Sequence, residues 1–241
     1  MNFSTKSYWD KRYENEDNYE WLIKIDQVNE ILKRYANNNA KVLILGCGNS
    51  NLSYELYAKG YRNIISTDYS ETIIEKMKCK YKDIMELKWE CHDMFNLPYD
   101  WNSFDIIFEK GVIDAVLANE NQWTYAAKFR IQFENFMLNV HNILKRDGKF
   151  LSVSFHQPMF RLPLLIDFSN HSTPFWKIKI EEIESGFHFI LYNFEKSPAL
   201  HHSVNDLISK YSKYQRTINR TISKESYNDN EDNFLSTGFE L

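Results

Sequence analysis

Residues 41–50 read KVLILGCGNS, an apolar run that is broken by two glycines one residue apart. An uninterrupted apolar run of this kind is typical of a strand that is buried on both faces, as in parallel sheets. Gly46 and Gly48 follow the run directly, and apolar residues at helical spacing fill 52–57 before Gly60. This stretch therefore predicts a buried strand, a tight loop and a helix that ends at a glycine.

The same order of strand, loop and helix recurs along most of the chain. We predict further strands at 63–68, 87–91, 104–108 and 150–155, and further helices from Ser70 and over about 123–144. Such alternation implies right-handed crossovers and a parallel sheet with helices on both faces. Residues 175–180 and 187–194 then alternate in period two with no helix between them, which predicts an antiparallel hairpin. The predicted fold is α/β: a Rossmann-like, seven-stranded, mostly parallel sheet with a C-terminal antiparallel hairpin.

Length and composition favour one globular domain. The chain has 241 residues, of which 43% are hydrophobic, so burial of apolar surface can offset the entropy of ordering and a disordered chain is excluded. We expect one domain over residues 1–200, in which residues 1–40 form an aromatic and helical N-terminal cover. Residues 201–241 are rich in polar side chains and are predicted to form a C-terminal extension that is partly helical or disordered.

Charge and cysteine content argue against several classes of function. A net charge of −4 provides no overall attraction to nucleic acid or to an anionic membrane. Cys47, Cys79 and Cys91 show neither a CxxC pair nor a Cys/His ligand spacing, which argues against a metal site or a disulfide framework and favours a reducing compartment. Since the sequence shows no membrane span and no secretory signal, we expect a cytoplasmic protein, with a monomer favoured.

The glycine loop and the end of the second strand point to a nucleoside ligand without phosphates. Gly46 and Gly48 allow a ligand to approach the backbone at a helix N-terminus. A dinucleotide fingerprint needs a further glycine where the chain has Asn51, and no Gly-Lys-Ser/Thr phosphate loop follows. Asp68 ends the second strand about 20 residues after the loop, where a carboxylate can accept hydrogen bonds from both ribose hydroxyls.

A second carboxylate, that of Asp93, ends the third strand at the same edge of the predicted sheet. It can accept a hydrogen bond from an adenine amino group, while the backbone N–H of Met94 donates to a ring nitrogen. Together with the glycine loop, Asp68 and the terminal hairpin, this pattern describes a pocket for S-adenosylmethionine, with S-adenosylhomocysteine as the product.

Several short motifs are similar to those of one enzyme family. They are YWDKRY at 8–13, LGCGNS at 45–50 with LSYEL at 52–56, DYS at 68–70, EKG at 109–111 with Asp114-Ala115, and SGFHF at 185–189. In combination they resemble the seven-strand protein-lysine methyltransferases that modify translation elongation factor 1-alpha, over about residues 7–197. The chain departs from the family pattern at Val112-Ile113, directly after EKG, and in its C-terminal extension.

The resemblance implies an enzyme that transfers a methyl group from S-adenosylmethionine to a protein lysine, with elongation factor 1-alpha as the expected protein partner. It also implies cofactor contacts from Trp9, Tyr13, Trp21, Gly46, Asp68, Tyr69, Asp93, Met94 and Lys110. The glycine loop adds Gly48 to this set. Trp9 and Tyr13 are spaced to share one helical face, and with Trp21 they would form an aromatic wall beside the sulfonium.

The expected reaction needs an amine with a free lone pair, so the acceptor lysine must lose its proton, which a desolvated channel beside a sulfonium favours. We hypothesise that Glu109 and Asp114 orient the incoming amine, while Phe155, Phe187 and His188 help to form the channel. No obligatory general base follows from the sequence, and the Asn/Asp-Pro-Pro-Tyr/Phe motif of DNA amino-methyltransferases is missing, so we expect no specific binding of nucleic acid. The alternatives are a small-molecule methyltransferase and a non-catalytic S-adenosylmethionine-binding module.

Overall fold

The computed structural model describes residues 2–121, 124–166, 176–184 and 187–197, together with residue 209 and residues 239–240. The strands are β1 (Lys41–Leu45), β2 (Asn63–Asp68), β3 (Leu87–Cys91), β4 (Phe104–Lys110), β5 (Leu144–Ser154), β6 (Trp176–Glu184), β7 (His188–Lys196) and β8 (Phe239–Glu240). The helices are α1 (Lys6–Asn15), α2 (Ile25–Tyr35), α3 (Leu52–Ala58), α4 (Glu71–Lys80), α5 (Val112–Val116), α6 (Ala127–Ile143) and α7 (Pro158–Leu165).

All of these strands belong to one sheet, in the order β3-β2-β1-β4-β5-β7-β6-β8. Neighbours from β3 to β5 run parallel, whereas β7 is antiparallel to both β5 and β6. The seven predicted strands and the terminal antiparallel pair are therefore confirmed, and β8 adds two residues beside β6 that the sequence did not predict. The turn at 185–186 and nearly all of the extension predicted for 201–241 lie outside the described residues.

The register of the parallel strands brings their carboxyl ends to one edge of the sheet. Leu45, the last residue of β1, is paired with Thr67 of β2 and with Glu109 of β4. Asp68, which ends β2, is paired with Cys91, which ends β3. The loops that follow these four strands therefore start side by side, in the region where open α/β sheets bind their ligands.

The two faces of the sheet are covered by different helices, as predicted. Side chains of β1 alternate between the faces: Leu43 and Leu45 belong to a core that includes α6 and α7, whereas Val42 and Ile44 belong to a core that includes α2, α3 and α4. Because both faces are covered, β1 is apolar along its length rather than alternating between apolar and polar residues.

α7 is not among the helices that the sequence predicts, because Pro158 and Pro163, which favour an irregular segment, both lie in this helix. Pro158 occupies its first turn, where the missing N–H has no helical partner to lose. The helix buries Leu162 and Leu165 completely in the core. This packing outweighs the cost of a proline in the helix interior.

The described residues lack two further features. They contain no helix that is long and apolar enough to cross a membrane. They also contain no group of three or more His, Cys, Asp or Glu side chains placed to hold a metal ion.

Candidate cofactor and acceptor site

A cavity of about 860 Å³ opens at the carboxyl edge of the sheet. Its volume lies within the range of small-molecule sites, roughly 300–1,000 Å³. Every residue predicted to contact the cofactor lines it: Trp9, Tyr13, Trp21, Gly46, Gly48, Asp68, Tyr69, Asp93, Met94 and Lys110. The N-terminal cover, the glycine loop and the ends of β2, β3 and β4 therefore meet around one space.

Gly46 and Gly48 give the loop after β1 its shape. Gly46 has a φ of 58° and Gly48 a φ of 50°, a left-handed region that residues with a side chain rarely adopt. A Cβ on Gly46 would lie 2.4 Å from a methyl carbon of Val112, and a Cβ on Gly48 would lie 3.0 Å from the Tyr13 hydroxyl oxygen. Val112, where the chain departs from the family pattern, therefore packs directly against the glycine loop.

The Asp68 carboxylate is buried beside this loop. Its Oδ2 accepts a hydrogen bond from the backbone N–H of Gly48 at 3.0 Å, and its Oδ1 accepts one from the N–H of Ser70 at 3.0 Å. Burial raises the pKa of Asp68 to about 6, and these two donors limit the rise. Each oxygen keeps a second lone pair, with which it can accept a hydrogen bond from a ribose hydroxyl.

Asp93 and Met94 follow β3 and line the same cavity. Asp93 is exposed, and its Oδ1 accepts a hydrogen bond from the backbone N–H of Phe95 at 3.0 Å. The N–H of His92 donates to the carbonyl of Asp68 at 3.0 Å, which ties this turn to the end of β2. The turn thus presents a carboxylate acceptor beside the buried Met94 side chain, a combination suited to the polar edge and the apolar face of an adenine ring.

Three aromatic side chains from the N-terminal cover form one wall of the cavity. The Trp9 ring stacks on Tyr13 with centroids 5.7 Å apart and meets Trp21 edge-on at 5.9 Å. The Trp9 Nε1–H donates to the carbonyl of Phe3 at 2.7 Å, which fixes the orientation of the ring. Burial raises the pKa of the Tyr13 hydroxyl, so this group stays neutral. The wall offers aromatic faces to a sulfonium.

Glu20, which belongs to no recognisable motif, connects the N-terminal cover to the glycine loop through hydrogen bonds. Its carboxylate accepts hydrogen bonds from the Ser50 hydroxyl at 2.7 Å and from the Asn51 backbone N–H at 3.0 Å. It also lies 3.5 Å from the Nζ of Lys110, which donates to the carbonyl of Trp21. Burial lowers the pKa of Lys110, and the charge of Glu20 opposes that shift. No spacing in the sequence signals this contact, because Glu20 is one of several acidic residues in an aromatic stretch.

Glu109, which was predicted to orient the acceptor amine, is 1% exposed and does not line the cavity. Its Oε1 accepts a hydrogen bond from the Ser152 hydroxyl, and its Oε2 accepts hydrogen bonds from the backbone N–H groups of Val112 at 2.9 Å and Ile113 at 3.4 Å. Burial, together with the charge of Asp114, raises the pKa of Glu109 to about 7. The side chain therefore holds the first turn of α5 against β5.

Asp114, the other residue predicted to orient the amine, lines the cavity and is buried. Its Oδ1 accepts hydrogen bonds from the Ser154 hydroxyl at 2.7 Å, from Nδ1 of His156 at 2.9 Å and from the Arg161 guanidinium. Burial alone would raise the pKa of Asp114, but the Arg161 charge and the other donors hold it below its usual value. Its Oδ2 is buried and has no hydrogen-bond partner within the described part of the chain, an unsatisfied acceptor in a residue that lines the cavity.

Only one of the three residues predicted to form the acceptor channel lines the cavity. This residue is Phe155, which is 51% exposed. Phe187 and His188 are exposed and do not line the cavity. His156, which the sequence places either in an ordinary loop or at the substrate entrance, lines the cavity next to Asp114.

The sheet order, the glycine loop after β1 and the carboxylates after β2 and β3 define a class I, S-adenosylmethionine-dependent methyltransferase. The residues fit that cofactor, because Asp68 can hold a ribose, Asp93 and Met94 an adenine, and the aromatic wall a sulfonium. Residues 36–188 match the family described as a methyltransferase domain. The chain belongs to this methyltransferase domain family.

Two curated relatives extend the comparison. The chain is 34% identical over 197 residues to mouse EEF1A lysine methyltransferase 4, a match that covers 80% of this chain and 76% of the relative. It is 29% identical over 184 residues to the human eEF1A lysine and N-terminal methyltransferase, which covers 75% of this chain and 25% of the relative.

Two solved structures share the fold. The phosphoethanolamine N-methyltransferase 1 of Haemonchus contortus, in complex with phosphoethanolamine and S-adenosylhomocysteine, has a TM-score of 0.57 at 17% identity and covers 94% of this chain and 56% of that chain. The N-methyltransferase NodS of Bradyrhizobium japonicum, in complex with S-adenosylhomocysteine, has a TM-score of 0.57 at 14% identity and covers 83% of this chain and all of NodS (100%).

Proposed function

We propose that this methyltransferase modifies the side-chain amine of a protein lysine, and that its protein substrate is elongation factor 1-alpha. The observation that carries the acceptor chemistry is the buried Asp114 carboxylate in the wall of the cofactor cavity, with one oxygen unpartnered within the described residues. A carboxylate in this place selects a cationic acceptor over a neutral or acidic one. The names of the mouse and human relatives support the choice of protein substrate.

The cofactor, when bound, supplies a methyl group on a sulfonium. Asp68 holds its ribose, and Asp93 with Met94 holds its adenine. Trp9, Tyr13 and Trp21 exclude water from the reacting end, so that donor and acceptor meet in a fixed orientation.

The acceptor arrives as an ammonium ion, since the pKa of a lysine side chain is about 10.4 in water. Asp114 binds this ammonium and aims its nitrogen at the cofactor, while Phe155, at the exposed part of the cavity wall, packs on the aliphatic stem. Removal from water and the nearby sulfonium both disfavour the charged amine, so the proton is released inside the cavity.

Glu109 acts through the loop rather than on the amine. It does not line the cavity, and it binds the two N–H groups that begin α5, the helix that carries Asp114. We therefore propose a positioning role for Glu109 and a substrate-binding role for Asp114.

The proposal is tested by incubating the purified protein with elongation factor 1-alpha and isotope-labelled S-adenosylmethionine, followed by peptide mass mapping. We expect label on a lysine of elongation factor 1-alpha, and none with Asp114→Asn. If a parallel incubation with cell lysate puts the label on a lysine of another protein instead, lysine methylation stands as the function and elongation factor 1-alpha is wrong as the substrate. Label only in a metabolite extract would indicate a small-molecule methyltransferase, and cofactor binding without any transfer would indicate a binding module.

We further propose that the enzyme works as a monomer in the cytoplasm and binds no nucleic acid specifically. The net charge of −4 supports the absence of specific nucleic-acid binding, and the free cysteines support a reducing compartment. Sedimentation analysis and cell fractionation test it: a stable dimer, or a protein confined to an oxidising compartment, would contradict it.

A further inference from the structure

Four polar residues from three elements meet beside the cavity. Asp114 comes from α5, Ser154 ends β5, His156 follows it, and Arg161 comes from α7. All four are buried, and Arg161 is only 1% exposed. Buried polar groups are costly unless they are hydrogen-bonded, so the distances within the cluster indicate which atom donates each hydrogen and which atom accepts it.

The hydrogens of Arg161 fix the protonation of the His156 ring. The Nη2 of Arg161 carries two hydrogens, and it contacts both the Oδ1 of Asp114 and the Oγ of Ser154, the latter at 3.0 Å. Both hydrogens are therefore used, and none is left for the Nδ1 of His156, 3.3 Å away. The Nδ1 of His156 lies closer, at 2.9 Å, to the Oδ1 of Asp114.

The charge of Asp114 completes this assignment. Arg161 and the other donors keep the pKa of Asp114 below its usual value, so its Oδ1 is an ionised acceptor at neutral pH. A hydrogen bond between this oxygen and the Nδ1 of His156 then requires the hydrogen on Nδ1. In the neutral ring the other nitrogen, Nε2, is therefore a proton acceptor, and it makes no hydrogen bond with any described residue.

The backbone of His156 is held on both sides. Its N–H donates to the Oγ of Ser154 at 2.9 Å, and its carbonyl accepts a hydrogen bond from the Tyr192 hydroxyl of β7 at 2.6 Å. The Phe155 ring lies against the His156 ring with centroids 4.2 Å apart. The ring is thus fixed in the cavity wall, next to the carboxylate to which we assign the acceptor ammonium.

We propose that His156 takes up the proton that the acceptor lysine loses, and that Asp114 holds His156 in the tautomer that can do so. This inference rests on the proposed function. An N–H bond of the lysine ammonium breaks and its electron pair stays on the lysine nitrogen, while the proton bonds to the Nε2 lone pair of His156. The imidazolium carries the positive charge beside Asp114, and the amine is left neutral with the lone pair that methyl transfer requires.

Two other carboxyl groups are less suited to this step. Asp114 is held ionised by Arg161, so it is a weak proton acceptor at neutral pH. Glu109 has a pKa of about 7 but does not line the cavity, and its oxygens are engaged by Ser152 and the start of α5. His156 lines the cavity, its Nε2 keeps a free lone pair in the tautomer assigned above, and histidine is the side chain that most often serves as a general base.

The first test is spectroscopic and needs neither substrate nor turnover. The full chain, labelled with nitrogen-15 in its histidines, is compared with His156→Gln to assign the ring signals. At about pH 8, where an ordinary histidine is neutral, we expect the ring hydrogen of His156 on Nδ1. A ring that carries it on Nε2 would overturn the assignment.

The second test is the rate of methyl transfer to elongation factor 1-alpha in a single turnover. His156→Gln keeps the size of the side chain but cannot take up a proton, so we expect the rate to fall by roughly 100-fold or more with unchanged affinity for S-adenosylmethionine. Added imidazole should restore part of the rate of His156→Ala and leave the wild type unaffected. Met159→Gln, an exposed position on the same segment that does not line the cavity, serves as the matched control and should keep the wild-type rate.

The outcomes separate this inference from the proposed function. If the wild type methylates a lysine of elongation factor 1-alpha, or of another lysate protein, and His156→Gln does so equally fast, only the role of His156 is overturned. If the wild type methylates no lysine at all, the proposed function is wrong, and the proton-acceptor role falls with it.

Discussion

The backbone N–H of Gly48 donates a hydrogen bond to the Oδ2 of Asp68 over 3.0 Å. This bond joins the loop after β1 to the carboxylate that ends β2, so the two parts of the cofactor site are not placed independently. Burial raises the pKa of Asp68 to about 6, which means that the carboxylate is mostly ionised at neutral pH but close to its titration range. The shape of the glycine loop is therefore coupled to the charge on Asp68.

Asp68→Asn should weaken cofactor binding, because an amide has one acceptor oxygen in place of two and no charge to strengthen the ribose contacts. Loss of a charge-assisted hydrogen bond costs roughly 1.5–3 kcal/mol, which corresponds to roughly 10- to 100-fold in affinity. Calorimetric titration with S-adenosylhomocysteine measures this change. Asp83→Asn, an exposed aspartate that does not line the cavity, is the matched control, and an equal loss in both variants would contradict the assignment.

Gly46→Ala should reduce both stability and cofactor affinity. Its φ of 58° disfavours any side chain, at a cost of roughly 1–2 kcal/mol, and its Cβ would meet the branched side chain of Val112 at 2.4 Å. Gly60→Ala is a suitable comparison, because Gly60 also has a positive φ but lies in the turn after α3 and does not line the cavity. Thermal unfolding should show a loss in both variants, whereas titration with the cofactor product should show a loss of affinity only for Gly46→Ala.

The sheet and the cofactor side of the site could be predicted because short-range patterns determine them. The apolar run of β1 requires cover on both faces, and in a parallel sheet the residues after each strand share one edge. Asp68 and Asp93 could therefore be placed beside Gly46 and Gly48 from their positions at strand ends alone. The missing glycine at Asn51 was sufficient to favour a ligand without a pyrophosphate.

The acceptor side could not be predicted in the same way. Asp114 precedes His156 by 42 residues and Arg161 by 47, and it meets them only because β4 and β5 are neighbours and α7 folds back beside them. The prolines of α7 obscured the helix that supplies Arg161, because burial of its leucines decides its conformation and local propensity does not. The side chain of Glu109 was predicted at the acceptor end, but it is directed to Ser152 and the start of α5.

Glu109→Gln should make the stability of the cofactor-free protein less dependent on pH. The pKa of Glu109 is about 7 in the folded protein, against 4.5 for an ordinary glutamate. Between these values the folded state binds more protons than the unfolded state, so stability falls as pH rises through this window. This pKa difference contributes roughly 3 kcal/mol to the change in the free energy of unfolding across the window, and Glu109→Gln should lack that contribution. Urea unfolding at about pH 5 and about pH 8 measures the difference, and an unchanged pH dependence would contradict the buried, protonatable state of Glu109.

Glu109→Ala separates the positioning role from direct contact with substrate. It leaves the Ser152 hydroxyl and the N–H groups of Val112 and Ile113 without their acceptor, at roughly 1–3 kcal/mol for each buried group. We expect lower stability and slower methyl transfer for Glu109→Ala, with most of the rate retained by Glu109→Gln, which can still bond to the loop. A loss of rate in Glu109→Gln as large as in Asp114→Asn would instead support direct orientation of the amine.

Asp114 and Arg161 should show strong coupling in stability. Asp114→Ala leaves the charge of Arg161 buried without its partner, and Arg161→Met leaves the charge of Asp114 buried without its partner. Each single variant should lose roughly 3–5 kcal/mol of folding stability. The double variant removes both charges, so its loss of stability should be far smaller than the sum of the single losses. The exposed pair Glu30 and Lys33, whose charged atoms are 2.9 Å apart, provides the control cycle and should show no measurable coupling.

Activity adds a second readout to this double-mutant cycle. The double variant should be folded but unable to transfer a methyl group, because the carboxylate that binds the ammonium and orients His156 is gone. Restored stability with restored activity would mean that Asp114 serves only to balance the charge of Arg161. Restored stability without activity would separate the structural use of the ion pair from its role in binding the acceptor.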